Sequence, residues 1–263
     1  MTISSPIKWH GGKAGLASRF IDLFPAHVHY VEPYAGSLAV LFAKPYIGVS
    51  EVVNDLNGDL TNFWLTLQNP ESFEKFRREV EAIPFSEVEY AQAETIVQPN
   101  AVAFFILARM SMAGRFQNFA PLTRNRTRRD MNEQASAWLS AVDGLAGVHD
   151  RLRRVVILNR DACDVIRQQD GENTFFYLDP PYLFETRATV GEYAVEMDDR
   201  QHEKLLRALT EIGGKFMLSG YRSKLYDDYA HDYRWRRVDF DTVAHSASGD
   251  TKGKRVECVW LNY

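Results

Sequence analysis

The sequence predicts an α/β protein, a Rossmann-like doubly wound parallel sheet interrupted by a mostly helical insert. Three observations carry this expectation. Short apolar runs alternate with helical periodicity over residues 1–58 and resume over residues 151–263. Residues 59–150 lack that rhythm and hold long 3.6-period stretches instead. The run Thr174-Phe175-Phe176-Tyr177-Leu178 has no polar alternation, as expected of a strand covered on both faces.

Taken in order, residues 13–23 read as a helix through Leu16, Phe20 and Leu23, residues 28–33 as a strand, 37–43 as a helix and 51–54 as a second strand. Helices are then expected over 60–68, 71–82, 87–97 and 102–112, followed by a Gly/Asn/Pro/Arg-rich loop over 113–131 and a helix over 132–142. The strand rhythm returns at 155–158, with a helix at 161–169 and the buried strand at 174–178. Residues 199–212 and 224–229 suit helices and 215–219 a strand. Residues 235–240 and 256–263 suit a terminal antiparallel pair joined by the Ser/Gly/Lys-rich stretch 245–254.

Composition narrows the class. The chain has 263 residues, 45% of them hydrophobic and 25% charged, enough for one large core and a smaller appended domain. No apolar run approaches the ~18 residues of a membrane helix, and the start lacks the basic-then-apolar layout of a secretory signal. Two cysteines, Cys163 and Cys258, form neither a disulfide framework nor a metal spacing, which points to a reducing cytosol. The seven histidines are scattered, so no metal site is expected. A net charge of −4 argues against nucleic-acid binding by the body as a whole. Between residues 109 and 129, however, stand six arginines and no acid, a segment able to hold a phosphate backbone locally.

Three motifs carry chemistry. Asp179-Pro180-Pro181-Tyr182 follows the buried strand, so a carboxylate, a rigid turn and an aromatic ring stand at the mouth of the sheet. The carboxylate and the Pro180 carbonyl can accept the two protons of a planar amine, while the Tyr182 ring can stack on the base that bears it. Upstream, Glu32-Pro33-Tyr34-Ala35-Gly36 runs from a strand into a glycine turn, where α/β sheets bind ligands, and Asp55, nineteen residues past Gly36, can accept ribose hydroxyls. One turn glycine where dinucleotide folds carry three argues against NAD and leaves a mononucleoside-like ligand. Lys8-Trp9-His10-Gly11-Gly12-Lys13 offers backbone amides to an anion but lacks phosphate-loop spacing, which leaves a carboxylate such as an amino-acid tail.

The order Lys8-Trp9-x-Gly11-Gly12-Lys13, Glu32-Pro33-Tyr34-x-Gly36, Asn54-Asp55-x-Asn57, helical insert and Asp179-Pro180-Pro181-Tyr182 resembles the Dam-type D12 class (α-group) DNA N6-adenine methyltransferases, phage and prophage members in particular. The resemblance runs from about Lys8 to the C-terminus. It implies S-adenosylmethionine as methyl donor, double-stranded DNA as partner, no metal, and a monomer or weak dimer of bacterial or phage origin. It places Trp9 and Lys13 at the donor or catalytic pocket, the turn Glu32, Pro33, Tyr34 and Gly36 on the donor, Asp55 on its ribose, Asp161 near its adenine, and Asp179 between donor and target amine. Lys8 is implied beside the target base. Arg115, Arg124, Arg126, Arg128 and Lys252 are the DNA-contact candidates, and residues 59–150 the target-recognition domain. The family's second turn glycine is Leu38 here, a departure that bears on donor affinity. A methyltransferase for another planar amine and a DNA-binding relative without donor affinity are the alternative readings.

Overall fold

The computed structural model describes residues 3–122, 124–186, 195–243 and 254–263, and side chains at 242, 243, 254 and 255 are not described. Along the chain come α1 (Ala17–Ile21), β1 (His29–Glu32), α2 (Ala39–Ala43), β2 (Ser50–Asn54), α3 (Gly58–Gln68), α4 (Pro70–Ala82), α5 (Glu87–Thr95) and α6 (Ala101–Met110). The short strands β3 (Thr127–Arg128) and β4 (Met131–Asn132) precede α7 (Glu133–Asp143), α8 (Leu145–Leu152) and β5 (Val156–Leu158). The chain closes with α9 (Ala162–Gln169), β6 (Thr174–Leu178), α10 (Asp199–Glu211), β7 (Lys215–Gly220), α11 (Lys224–Asp232), β8 (Arg236–Val243) and β9 (Lys254–Leu261). None of the helices among the described residues is long and apolar enough to cross a membrane.

The residues group into two compact units. One comprises Met1–Leu23, Ala35–Tyr46 and Asn57–Asn159, the other Phe24–Tyr34, Ile47–Leu56 and Arg160–Tyr263. Contacts thus group the N-terminal segment and α2 with the helices of residues 59–150.

The second unit is the α/β body. Its six strands run β2-β1-β6-β7-β9-β8. β2, β1, β6 and β7 are parallel, and β9 is antiparallel to both neighbours. Every residue of β6 is buried, because the strand lies between β1 and β7. Phe175 of this strand is fully buried and meets Phe24 edge-on with ring centroids 4.5 Å apart. The terminal pair forms the antiparallel ladder expected from residues 235–240 and 256–263, in register from Arg236↔Leu261 to Val243↔Lys254.

The first unit is mostly helical. Phe63, Trp64, Phe76, Phe105 and Trp138 are each at most 2% exposed and form its centre. Five of its helices start on an asparagine or serine whose side chain takes amide protons of the first turn: Asn57, Asn69, Ser86, Asn100 and Asn132. Some expectations change at the ends. The helix foreseen over 13–23 shrinks to five residues. The one foreseen from residue 37 starts at Ala39, because Leu38 is left-handed at φ 55°, ψ 24°. The helix at 102–112 stops at Met110, where Ser111 turns extended and Ala113 has φ 56°. α8 and the β3–β4 hairpin were not foreseen.

Candidate active site

β1, β2 and β6 end at the same edge of the sheet. The register pairs Glu32 with Val53 and Val31 with Phe176, and Leu178 with Leu218. Continued one to three steps past these pairs, the same registers place Asp55, Tyr34, Asp179 and Ser219 in a row across four parallel strands. This is the carboxyl edge, where open α/β sheets bind ligands.

Asn54 ties that edge together. Its Nδ2 donates to the carbonyls of Pro33 and Arg160, each at 3.0 Å, and its Oδ1 accepts the Arg160 amide at 2.9 Å. Glu32, 1% exposed, accepts the Tyr30 hydroxyl at 2.6 Å. That bond satisfies part of a carboxylate whose burial would otherwise be costly. Asp161 caps α9 by accepting from the amides of Cys163 and Asp164, and also takes Lys204 at 3.1 Å. The Lys204 ammonium and the two amides hold its carboxyl below the usual range against the opposing effect of burial. The Tyr34 hydroxyl is pushed well up by burial, then by Cys163, Tyr226, Asp161 and Asp55.

Asp179 is half-buried directly after β6, and the Pro180-Pro181 pair turns the chain so that Tyr182 comes back under it. The Tyr182 hydroxyl donates to Asp179 Oδ1 at 3.1 Å and reaches Glu257 Oε1 on β9. Ser219 Oγ also donates to Glu257 Oε1, at 2.7 Å. The Tyr182 ring is 5% exposed and meets Tyr221 edge-on at 4.6 Å. A base can therefore lie on that ring only after a neighbour withdraws. Tyr177 carries the same acidic environment: burial first, then Asp179, Glu32 and Glu257, push its hydroxyl well up.

In the helical unit, the N-terminal motif and the loop after α6 fasten to each other. The Trp9 ring packs on Phe104 and, edge-on at 5.8 Å, on Phe116. Gly36 has φ +47°, and a Cβ there would stand 3.1 Å from Trp9 Nε1, so glycine is what lets the indole approach. The Gly36 carbonyl accepts from Trp64 Nε1 at 3.2 Å. Lys13 is buried, with Nζ donating to the Gly11 carbonyl at 2.7 Å. Arg115 Nε reaches His10 Nδ1 at 3.3 Å. Burial, then the Arg109 charge, bring the Lys8 ammonium down to about 8, with Glu133 opposing.

The six arginines divide. Arg109 is committed to the fold, donating to the Ala137 carbonyl at 2.7 Å, and burial brings it down to about 10. Arg129 bonds Ser140 and pairs with Asp143 on α7. Arg126 lies 4.0 Å from Glu133. Arg124 and Arg128 are exposed, Arg128 on the two-residue strand β3. Lys252 lies outside the described residues. Phe119 packs on Phe85 and Tyr90 and so caps the core of the insert.

Two residues of the carboxyl edge, Ser219 and Glu257, are not singled out by the sequence, and Asn54 appears there only as a member of its motif, without a role. The available signal for Glu257 was an acid inside an otherwise apolar strand run, Val256-Glu257-Cys258-Val259-Trp260.

Comparison with known proteins adds the family. The phage P1 DNA N-6-adenine-methyltransferase is 24% identical over 270 residues, which cover 95% of this chain and 34% of the phage protein. The retron Ec67 DNA adenine methylase of Escherichia coli is 40% identical over 62 residues, 24% of this chain and 21% of that one. The chain thus spans about a third of the length of the phage relative. A solved Pyrococcus horikoshii structure, named as a candidate RNA methyltransferase, has a TM-score of 0.42 at 6% identity over 97% of this chain and 84% of its own, too remote a likeness to carry an argument. Residues 9–240 match the sequence model of one family across both units, and the chain belongs to it: the D12 class N6 adenine-specific DNA methyltransferases.

Proposed function

We propose that this chain transfers a methyl group from S-adenosylmethionine to N6 of an adenine turned out of double-stranded DNA. The observation that carries the reading is the half-buried Asp179, at the carboxyl end of the central strand on a turn stiffened by Pro180 and Pro181.

The donor set fits the proposed cofactor. Glu32, Asp55, Asp161 and Asp179 give the strand unit an acidic edge beside Tyr34 and Pro33, suited to a cationic nucleoside with ribose hydroxyls and an ammonium group. Trp9, Lys13 and Gly36 are assigned to the same donor on the family resemblance. When bound, the donor supplies an electrophilic methyl on a sulfonium.

Adenine N6 is a weak nucleophile because its lone pair is delocalised into the ring. Asp179 and the Pro180 carbonyl accept its two protons, which favours a more tetrahedral nitrogen and localises the lone pair. The Tyr182 bond to Oδ1 takes one of the about four acceptor positions that a carboxylate offers. As N6 gains positive charge, the Asp179 carboxylate stabilises it in a site with little water. After transfer, with the electron pair of the broken methyl bond left on the donor sulfur, N6 passes one proton through the Asp179 carboxylate to water. Tyr182 forms the floor under the base.

Extrusion of the base costs roughly a few kcal/mol, and stacking on an aromatic ring returns ~1–3 kcal/mol. Phosphate contacts must therefore favour the extruded state, and we assign them to Lys8, Arg115, Arg124, Arg126 and Arg128, with residues 59–150 as the target-recognition domain. Incubation of the purified chain with tritiated donor and, separately, duplex DNA, RNA and protein tests the reading. Label in DNA is expected; label in RNA or protein alone overturns it.

A further inference from the structure

Glu257 is a buried acid that the chemistry above does not use. It is 5% exposed within β9, where it takes the Ser219 hydroxyl from β7 and the Tyr182 hydroxyl from the turn after β6. Ser219 is itself fully buried and stands 3.5 Å from the Tyr182 hydroxyl. Three segments of the sheet thus converge on one carboxylate. A phenol has one proton to give. Tyr182 has two carboxylates in reach, Asp179 and Glu257, and its single proton, shared between them as a three-centre bond, is what links them.

Burying a carboxylate is costly even when it is hydrogen-bonded, and replacing such a network by apolar side chains is often neutral for stability. Stability of β9 alone does not call for an acid here. What the acid does supply is an anchor: it holds the Tyr182 side chain from below, and Tyr182 closes the turn that begins at Asp179.

We propose that Glu257 is a positioning residue for methyl transfer, acting through the Tyr182 hydroxyl to fix the direction of the Asp179 carboxylate. The proposal rests on the role given to Asp179 above. Geometry at a reacting centre is unforgiving, and a misplacement of about 1 Å can cost about 100-fold in rate. Glu257→Gln keeps the size of the side chain and an acceptor oxygen but loses the charge that holds the phenol.

The test is steady-state N6-adenine methylation by wild type, Glu257→Gln, Tyr182→Phe and the double variant, with thermal melts as a folding control. Glu257→Gln is expected to lower kcat about 10- to 100-fold while KM for DNA and the donor Kd stay within about twofold. The double variant is expected to be no worse than Tyr182→Phe, because both changes cut one link. A kcat for Glu257→Gln within about twofold of wild type overturns the proposal, and so do losses that multiply in the double variant. If Glu257→Gln does not fold, Tyr182→Phe decides: near-wild-type kcat without the hydroxyl removes the only route proposed. A wild-type chain that methylates no adenine overturns the reading of Asp179 as well, whereas an active wild type with an unaffected Glu257→Gln overturns this inference alone.

Discussion

Gly114 lies so close to Lys8 that a Cβ on the glycine would stand 2.5 Å from both the carbonyl carbon and the carbonyl oxygen of the lysine. The loop that follows α6 and the N-terminal motif are thereby pressed backbone to backbone. The loop is itself unusual, since Ala113, Gly114, Phe116 and Asn118 all have positive φ. For a non-glycine residue, backbone held in that region costs about 1–3 kcal/mol and persists only where surroundings impose it. Gly114→Ala adds a left-handed alanine to a backbone collision, so it should destabilise the helical unit by about 2 kcal/mol or more. Denaturant melts check this, and an unchanged midpoint would mean the two segments separate freely.

Lys8 should make DNA affinity depend on pH. Its ammonium is brought down to about 8, from an ordinary value of 10.5 that it recovers on unfolding. The charge is present at pH 7 and is lost in the free folded protein as pH rises through about 8. If Lys8 neutralises one phosphate, binding at pH 9 must take up the proton that the free protein has lost, so affinity should fall by about tenfold between pH 7 and pH 9 while the slope of log affinity against log salt holds. Lys8→Gln should show a slope smaller by about 0.9 at both values. For stability the sign is opposite to that of a lysine that gains a partner. Between about 8 and 10.5 the unfolded chain binds more protons, so this group's contribution favours the folded state increasingly as pH rises through that window. Salt-dependent binding isotherms at the two pH values test the first claim.

Leu38 stands where the family resemblance places a second turn glycine, and it adopts the left-handed conformation that glycine would take, with its amide bonded to the Ala35 carbonyl at 2.9 Å. That conformation costs a non-glycine residue about 1–2 kcal/mol. The side chain is 1% exposed, and removing a buried leucine costs about 2–5 kcal/mol. The second effect is larger. Leu38→Gly should therefore lower stability by roughly 1–3 kcal/mol and leave donor affinity within about threefold. Calorimetric donor titration beside a urea melt separates the two; a variant more stable than wild type would reverse the ranking.

Asn54 is 1% exposed and makes three hydrogen bonds at the carboxyl edge. Asn54→Asp replaces the donor to Pro33 and Arg160 with an acceptor facing two carbonyls. The cost of unsatisfied buried groups is about 1–3 kcal/mol each, so a loss of about 3 kcal/mol is expected, with weaker donor binding. Asn54→Ala should be milder, because it leaves no buried charge. Equal stability of wild type and Asn54→Asp would show that the edge does not depend on this side chain.

The strand skeleton was legible because its runs are short, apolar and bounded by turn residues. β6 with its Asp179-Pro180 terminus is the clearest case. What escaped reading has specific causes. The β3–β4 hairpin turns on Arg129 and Asp130, at φ 57° and 59°, without the Asn-Gly pair that usually announces such a turn. α8 follows Gly144 and contains Gly147, residues of low helix propensity, and its apolar face (Leu145, Val148, Leu152) shows only once packing is known. Glu257 escaped because an acid in a terminal strand ordinarily faces water. Only the placement of β9 against β7 turns it inward.

The central claim is that Asp179 directs methylation to adenine N6. Nucleoside mass spectrometry of duplex DNA after incubation with the donor tests it most directly, with wild type beside Asp179→Ala. N6-methyladenine is expected from wild type, and at least about 100-fold less from Asp179→Ala, which should still bind DNA within about threefold. Methylated cytosine without methylated adenine, or turnover by Asp179→Ala close to that of wild type, would contradict the account.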